Sequence, residues 1–307
     1  MKLLVTGGGG FIGSHLVGRL LSLGHEVRVL DSFETGRREN LAGFGGVEVI
    51  NGDLLDTSRV AQAVAGVEAV FHVAALPSVP RSWSDPVSSL RANAMGTAAL
   101  ARAAMQAGVD SVIYSSSSSV YGDQPGERRS EDIEPRPISP YACSKLLGEE
   151  ILLAYAASNS LRVLALRYFN VFGPRQDPDS QYSAVIPKFI RAALRDEAVV
   201  IYGDGRQSRD FTYVSNVVEA NLLALQSTAS GQRLNIACGR SISLLELVDA
   251  ISKLNGRTLT VNHAKPRVGD IVRSLADCAV AERVLGYRPL TDFETGLHLT
   301  YEHYAKN

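Results

Sequence analysis

Short apolar runs alternate with longer segments of helical apolar spacing through the first half of the chain. The short runs predict buried strands at residues 3–6, 26–30, 47–50, 69–73, 111–114 and 162–166. The longer segments predict helices at residues 11–23, 57–65, 86–107 and 140–158. Because parallel strands need crossover helices, this alternation predicts an α/β fold with a Rossmann-type, doubly wound parallel sheet. Functional residues are then expected at the carboxyl ends of the strands.

The second half of the chain is less regular, and a polar, proline-rich segment at 173–180 opens it. Patterning there predicts helices at 184–195, 215–225, 244–254, 276–285 and 293–304, with short strands near 199–202, 233–236 and 258–261. We therefore expect a sheet domain at 1–167, to which the segment 211–238 returns. A smaller, interleaved α/β lobe is expected from 168–210 and 239–307.

Composition excludes several classes of protein. With 307 residues, 45% of them hydrophobic, and a formal net charge of −1, the chain is of ordinary globular type and has no basic stripe for nucleic acid. No apolar run approaches membrane-spanning length. The three cysteines are widely spaced and match neither a disulfide framework nor a metal site, and the first residues enter a strand directly. We expect a cytoplasmic protein with no metal and no membrane or nucleic-acid partner.

A glycine-rich turn follows the first predicted strand and opens the first predicted helix. Gly7, Gly10 and Gly13 have the spacing that allows a tight turn and close approach of a pyrophosphate to the helix N-terminus. Asp31 ends the second strand, where a carboxylate accepts hydrogen bonds from ribose hydroxyls and repels a 2′-phosphate, so NAD is favoured over NADP. Asp53, after the third strand, either meets the adenine amine or caps the helix that starts at residue 57.

Tyr141 and Lys145 are four residues apart at the start of a predicted helix, so their side chains share one face. An ammonium beside a phenol favours the phenolate, which makes the tyrosine a candidate base near neutral pH. Alone, such a pair is ordinary helix surface. Together with the serine run at 115–119 and the glycine turn, it indicates dinucleotide-dependent chemistry.

With these residues the chain resembles the extended short-chain dehydrogenase/reductase family, and within it the nucleotide-sugar 4-epimerases. The resemblance covers nearly the whole chain. Its motifs are Thr6-Gly-Gly-Gly-Gly-Phe-Ile-Gly13, Gly52-Asp-Leu54, Phe71-His-Val-Ala-Ala75, Asn93-Ala-Met-Gly-Thr97, the run 115–122, Tyr141-Ala-Cys-Ser-Lys145, Arg167-Tyr-Phe-Asn-Val-Phe-Gly-Pro174, Gly203-Asp-Gly205, Ser208-Arg-Asp-Phe211 and Arg267-Val-Gly-Asp270.

The resemblance implies roles for individual residues. Tyr141 is the acid/base, Lys145 lowers its pKa, and Ser117 hydrogen-bonds the reacting sugar hydroxyl. The residues implied around NAD are Gly7, Gly10, Phe11, Ile12, Gly13, Asp31, Asp53, Leu54, Ala74, Ala75, Asn93, Tyr141, Lys145 and Tyr168. The residues implied around the UDP-sugar are Ser117, Ser118, Ser119, Tyr141, Asn170, Val185, Tyr202, Arg209, Arg267, Asp270 and Ser274.

The implied reaction is transient oxidation of the sugar at C4 and re-reduction on its other face, with NAD unchanged overall. Family dehydratases carry an acidic pair, and related decarboxylases a glutamate, where this chain has Ser118 and Ser119, so epimerisation is favoured. Asn170 replaces the threonine of uronate epimerases. Ser274 replaces a tyrosine that restricts some epimerases to glucose and galactose, so an N-acetyl group has room.

Two alternatives stay open, and quaternary structure is expected by analogy. The first alternative is a UDP-glucuronate 4-epimerase, since Ser274 also tolerates that sugar, and Pro77 departs from the glycine of UDP-N-acetylglucosamine epimerases. The second is a catalytically silent NAD-binding regulator, although such proteins tend to lose the Tyr/Lys pair or the serine. The helices at 86–107 and 140–158 resemble those of a family homodimer interface.

Overall fold

In the computed structural model, which describes residues 1–178, 184–265 and 273–306, strands and helices alternate along the chain. The strands are β1 (Lys2–Thr6), β2 (Glu26–Asp31), β3 (Glu48–Asn51), β4 (Ala69–His72), β5 (Ser111–Ser117), β6 (Arg162–Tyr168), β7 (Val171–Phe172), β8 (Val199–Tyr202), β9 (Ser208–Asp210), β10 (Thr212–Tyr213), β11 (Gln232–Ile236), β12 (Ser241–Ser243) and β13 (Val261–Ala264). The helices are α1 (Phe11–Ser22), α2 (Thr57–Val64), α3 (Val79–Ser84), α4 (Pro86–Leu90), α5 (Gly96–Gln106), α6 (Pro140–Ala157), α7 (Val185–Leu194), α8 (Val214–Gln226), α9 (Leu244–Asn255), α10 (Ala279–Leu285) and α11 (Phe293–Lys306).

The main sheet has seven strands in the order β11-β6-β5-β4-β1-β2-β3, and every neighbouring pair is parallel. This confirms the predicted doubly wound α/β fold. The chain moves outward from β1 in both directions, so the strand order reverses between β1 and β4. Ligands of such sheets bind outside the carboxyl ends of the strands at this reversal.

Helices cover both faces of the sheet and form a core on each. One face packs α1, α8 and α10 through residues such as Leu16, Val217 and Leu285. The other packs α2, α5 and α6 through residues such as Val60 and Leu152. Each fully buried aliphatic side chain of this kind contributes roughly 1.5–3 kcal/mol relative to leaving it exposed.

The second half builds a third core beside the sheet. Its strands pair two by two, β7 with β10, β9 with β12 and β8 with β13, around the aromatic rings of Phe172, Phe211 and Phe293. Strand β11 leaves this lobe and pairs with β6 at the edge of the main sheet. Helix α10 also packs with the main sheet through Leu285, although its residues fall in the 239–307 segment expected in the lobe.

Local structure differs from the sequence prediction in several places, among them the short strands β7, β9, β10 and β12, which no pattern indicated. The helix expected at 86–107 is interrupted by a π-helical turn at Arg91–Met95, and the short helix α3 precedes it. Asp85 separates α3 from α4 and caps α4, because its carboxylate accepts a hydrogen bond from the Ser88 N–H (3.0 Å). The strand expected at 258–261 lies at Val261–Ala264 instead.

Candidate active site

The glycine turn lies between β1 and α1 at the reversal of strand order, and its shape excludes side chains. A Cβ on Gly13 would lie 2.1 Å from the Gly7 carbonyl oxygen, and one on Gly7 (φ +71°) would lie 2.7 Å from the Ala74 backbone. Gly10 is the N-cap of α1 and has no side chain to occupy the free N–H groups. These N–H groups and the helix dipole fit a pyrophosphate, as the dinucleotide prediction requires.

Asp31 at the end of β2 faces this turn. Its carboxylate is 8% exposed and accepts hydrogen bonds from the N–H groups of Gly9 (2.8 Å) and Phe33 (2.7 Å). A carboxylate has further lone pairs, so these bonds orient it and leave capacity for ribose hydroxyls. Asp53 does not cap α2: its carboxylate accepts from Leu55 N–H (2.7 Å), while Asp56 is the N-cap.

A buried histidine fixes the loop that faces the glycine turn. Thr97 donates its hydroxyl proton to the Asn93 carbonyl (2.5 Å), so His72 Nε2–H donates to Thr97 Oγ1 (2.8 Å). His72 Nδ1 then accepts from the Thr6 hydroxyl (2.8 Å), whose oxygen accepts from the Ala74 N–H (3.3 Å). Burial lowers the pKa of His72 to about 3. The neutral ring therefore sets the position of Ala74.

Asn93, in the π-helical turn, connects that same loop to the helix of Tyr141. Its side-chain oxygen accepts from Leu76 N–H (2.7 Å), and its amide donates to the Leu76 carbonyl (3.2 Å) and to Ser144 Oγ (2.9 Å). The side chain was expected at the cofactor. These bonds hold the loop against α6, and the amide is 1% exposed; a contact of Asn93 with the cofactor stays a prediction. Leu54, 8% exposed, likewise lies in the core of the sheet.

Helix α6 begins where the sequence pattern indicates. Ser139 is its N-cap, with Oγ accepting from the Ala142 N–H (3.2 Å), and Pro140 stands in the first turn. Tyr141 therefore lies at the positive end of the helix dipole, which favours a phenolate. Lys145 follows one turn later and is 2% exposed, with Nζ 4.5 Å from the centroid of the Tyr114 ring.

Burial shifts the pKa of both groups of the pair. It raises the pKa of the Tyr141 phenol above its ordinary value, against a lowering effect of the hydrogen bond with Ser117. It also lowers the pKa of the Lys145 ammonium to about 7, although Glu149 acts in the opposite direction. The net shift of the Tyr141 pKa is therefore upward, and not the lowering expected from Lys145, because desolvation dominates at both side chains.

A cavity of about 440 Å³ opens at the carboxyl ends of β5 and β6. Tyr141, Tyr168 and the serines at 116–119 line this cavity. Strand β5 ends at Ser117, so the end of the strand and the serines that follow it lie beside the Tyr141 phenol. Two lining residues have a backbone that side chains rarely adopt, Ser78 (φ 105°) and Asn170 (φ 33°). Such strain is typical of functional sites.

A second cavity, of about 300 Å³, adjoins the first within the lobe. The predicted residues Val185 and Tyr202 line it, and Asn170 and Arg209 line both cavities. Lys188 adds a second cation to its wall. The structure thus brings the predicted substrate residues together, with Ser274 in the first cavity; Arg267 and Asp270 lie outside the described residues.

Two arginines of the first cavity were missed by the sequence analysis. Arg129 is 6% exposed and donates to the carbonyls of Pro125 (3.4 Å) and Gly126 (3.3 Å), which shapes the loop after Gly122. Arg273 is exposed and lies beside Ser274. Neither position has a periodic or motif signal, because both approach the cavity from loops.

A glycine turn that suits a pyrophosphate, beside a cavity lined by serines and the half-buried Tyr141 phenol, fits an enzyme that uses a dinucleotide cofactor. The chain belongs to the NAD dependent epimerase/dehydratase family, whose model matches residues 3–237. NAD is the cofactor of this family, and the glycine turn and Asp31 would hold it.

Relatives match the chain over nearly its full length. UDP-glucose 4-epimerase of Mycolicibacterium smegmatis is 39% identical over 98% of both chains. UDP-N-acetylglucosamine 4-epimerase from Methanobrevibacter ruminantium, solved with UDP-N-acetylmuramic acid, has a TM-score of 0.95 and 39% identity, over 99% of this chain and 98% of that one. UDP-glucuronic acid 4-epimerase from Bacillus cereus, solved with UDP-glucuronic acid and NAD, has a TM-score of 0.92 and 34% identity, over 100% and 99%.

No helix in the described part of the chain is long and apolar enough to span a membrane. Across those same residues, His, Cys, Asp and Glu side chains form no group of three or more that could hold a metal ion. All three cysteines are free thiols.

Proposed function

We propose that this protein interconverts UDP-glucose with UDP-galactose, and UDP-N-acetylglucosamine with UDP-N-acetylgalactosamine, by transient oxidation at C4. The enzyme is an isomerase, an NAD-dependent 4-epimerase of a UDP-sugar, as its relatives over the full length are. The choice of neutral sugars is the proposal, and the small side chain of Ser274 in the cavity wall carries it.

The role of each residue in the reaction follows from its position in the two cavities. NAD, when bound, supplies the hydride acceptor for the sugar carbon and returns the hydride. Tyr141 takes the proton of the 4-hydroxyl and gives it back, while Ser117, hydrogen-bonded to the phenol, orients that hydroxyl. Lys145 opposes the desolvation cost of the phenolate with its positive charge. Arg209, between the two cavities, suits the diphosphate, and Tyr202 suits the base.

The cavity wall supports reversible oxidation rather than elimination. Dehydration or decarboxylation of the keto sugar needs a further acid/base beside the ring. Among the described residues that line the first cavity there is no carboxylate, and Ser118 and Ser119 stand beside Ser117. With Tyr141 as its acid/base, re-reduction is the step open to the intermediate.

Ser274 supports the acceptance of N-acetyl sugars. Its side chain is 8% exposed and lines the cavity that contains Tyr141. A tyrosine at this position would add an aromatic ring to a cavity of about 440 Å³. The hydroxymethyl group of serine leaves that space to a substituent on the sugar.

UDP-glucuronate is the second candidate substrate, and Arg273 is the observation that favours it. This exposed guanidinium lines the sugar cavity next to Ser274, where it could pair with a C6 carboxylate.

We also propose that residues 1–167 with 211–238 hold NAD and that the lobe holds the UDP-sugar. A cytoplasmic location remains our expectation.

Incubation with UDP-glucose, UDP-N-acetylglucosamine and UDP-glucuronate separately, read by NMR at C4, tests the proposal. We expect conversion of the two neutral sugars. In Ser274→Tyr we expect conversion of UDP-N-acetylglucosamine to be lost and that of UDP-glucose to be kept. Arg273→Ala is the matched control, and it should leave both neutral sugars unaffected.

Conversion of UDP-glucuronate alone, abolished by Arg273→Ala, would contradict the neutral-sugar proposal and establish the second candidate. Absence of conversion with all three sugars, in protein that binds NAD, would contradict epimerase activity and favour a regulator.

A further inference from the structure

Glu149 lies at the centre of α6, two turns after Tyr141, and is fully buried. Three strands direct polar groups at its carboxylate. Ser116 on β5 donates a short hydrogen bond to it, and Arg167 on β6 binds it through both Nε (2.9 Å) and Nη2 (2.7 Å). Arg233 on β11 lies 3.3 Å away. A buried carboxylate with this many charged partners is costly unless its position serves a purpose.

The strand residues that hold Glu149 are adjacent to residues of the site. In the pairing of β5 with β6, Ser116 is opposite Arg167 and Ser117 is opposite Tyr168. Ser117 and Tyr168 line the sugar cavity. Glu149 therefore fixes the position of α6 along its axis relative to the ends of β5 and β6. Helix α6 carries Tyr141, and the two strand ends carry Ser117 and Tyr168.

Glu149 also acts on the charge of Lys145, which precedes it by one turn on the same face of α6. The groups that face Lys145 are the Tyr114 ring on β5, His72 on β4, and Tyr141 and Glu149 on α6 itself. His72 is neutral, and of this group only Glu149 is an anion. Its partners Arg167 and Arg233 offset part of that negative charge.

We propose that Glu149 is a positioning residue of the reaction, which holds α6 in register with β5 and β6 and keeps the Lys145 ammonium charged beside Tyr141. The reaction itself rests on the proposed epimerase function. The effect on Lys145 does not, because it can be measured in the protein without substrate.

The test compares three single variants. Glu149→Gln removes the negative charge and keeps the shape of the side chain. Arg233→Ala removes a 30% exposed cation that offsets it. Glu150→Gln is the matched control: it lies next in the same helix and pairs with the same Arg233 (2.5 Å), but its side chain is 55% exposed.

Two readouts follow Lys145. The first is the pH at which epimerisation falls as the pH rises, since Lys145 then loses its proton. The second is the titration of the Lys145 side chain without substrate, followed by NMR of its 13C-labelled ε-carbon and assigned by its loss in Lys145→Arg. In Glu149→Gln we expect both the alkaline limb and the Lys145 titration about one pH unit lower. Arg233→Ala should shift both the alkaline limb and this titration to higher pH, by a smaller amount. Glu150→Gln should shift neither.

Unchanged titration in both Glu149→Gln and Arg233→Ala, or a shift of both in the same direction, would overturn the proposal. Glu149→Gln leaves Arg167 buried without its partner and so risks failing to fold. In that case Arg233→Ala decides alone: if its alkaline limb does not shift to higher pH, the proposed role of Glu149 is refuted. Failure of the unaltered protein to epimerise contradicts the proposed function, while the Lys145 titration still tests Glu149.

Discussion

Burial governs Tyr141, Lys145 and His72 more strongly than their charged neighbours do. It raises the pKa of the Tyr141 phenol, lowers the pKa of the Lys145 ammonium to about 7 and lowers the pKa of His72 to about 3. In each case the neutral form is favoured because a charge loses its hydration. Formation of the Tyr141 phenolate therefore depends on nearby positive charge, from Lys145, from the N-terminus of α6 and from the positive ring of the cofactor.

Replacement of the catalytic phenol tests the central residue. Tyr141→Phe keeps the ring and removes the proton acceptor, so we expect conversion of UDP-glucose to fall roughly 10³-fold. NAD binding, measured by calorimetry, should be retained. Tyr155, on the same helix outside both cavities, gives the matched control Tyr155→Phe, which should keep full activity. Turnover of Tyr141→Phe at the rate of the unaltered enzyme would exclude Tyr141 as the acid/base.

His72 gives a pH dependence of stability. Its folded pKa lies below its unfolded value of 6.5, so only the unfolded chain binds this proton between pH 6.5 and about 3. Stability contributed by the neutral ring is present above pH 6.5 and is lost as the pH falls, by up to ~1.4 kcal/mol per pH unit.

Urea unfolding at several pH values measures this contribution. His72→Gln should lower stability at neutral pH and show a shallower loss towards acid than the unaltered protein. Equal slopes for His72→Gln and the unaltered protein would show that His72 is not the group responsible.

At the scale of elements, the helix starts of this protein are specified by short-range chemistry, while helix interruptions are specified by contacts. Ser139 and Pro140 begin α6, and Ser243 with Glu246 forms a capping box at α9. The π-helical turn at Arg91–Met95 has no such signal. It turns Asn93 towards the loop at Leu76 and towards Ser144 of α6, which are contacts between distant segments.

The glycine turn before α1 yields a prediction at this scale. Gly13→Ala places a methyl group against the Gly7 carbonyl, so we expect a loss of about 2 kcal/mol in unfolding free energy and weaker NAD binding. Gly43→Ala is the control, because a methyl group there would have no neighbour within 4 Å and the φ of Gly43 is not left-handed. Denaturant unfolding with and without NAD reads both effects. Full stability and binding in Gly13→Ala would contradict the tight packing of the turn.

At the scale of the whole molecule, one face carries large apolar side chains in the open. Trp83 (65% exposed), Val87 (63%), Met95 (57%) and Leu147 (46%) lie on α3, α4, the π-helical turn and α6, which contact one another. Helices α4, α5 and α6 are those that the family resemblance assigns to a homodimer. We therefore keep the homodimer as a prediction and place its contact at this face.

Analytical ultracentrifugation tests the predicted dimer. We expect the unaltered protein to sediment as a dimer and the double variant Met95→Glu with Leu147→Glu to sediment as a monomer, because each charge would have to be buried in the contact. Leu290→Glu, at a 77% exposed leucine between α10 and α11, is the control and should stay dimeric. A monomer for the unaltered protein at micromolar concentration would contradict the prediction.

The parts of the site that the sequence predicted are those that lie close together along the chain. Tyr141 and Lys145 share one helix, Ser117–Ser119 follow one strand, and the glycine turn is a single segment. The parts it missed come from distant segments. Asp210, next to the cavity residue Arg209, shows how such segments are joined. Its fully buried carboxylate accepts from the N–H groups of Cys238 (3.0 Å), Gly239 (3.0 Å) and Ala276 (3.2 Å).

By itself the sequence determined the doubly wound sheet, the dinucleotide turn and the identity of the Tyr141–Lys145 pair, because hydrophobic period, glycine spacing and helix caps are local properties of the chain. Tertiary structure alone decided the electrostatic state of that pair. Burial depends on every segment that packs around a group, and residues of strands β5, β6 and β11 hold the carboxylate of Glu149 one turn from Lys145. The tertiary structure likewise brought Arg129 and Arg273 to the sugar cavity from loops, where no periodicity marks a residue that faces a ligand.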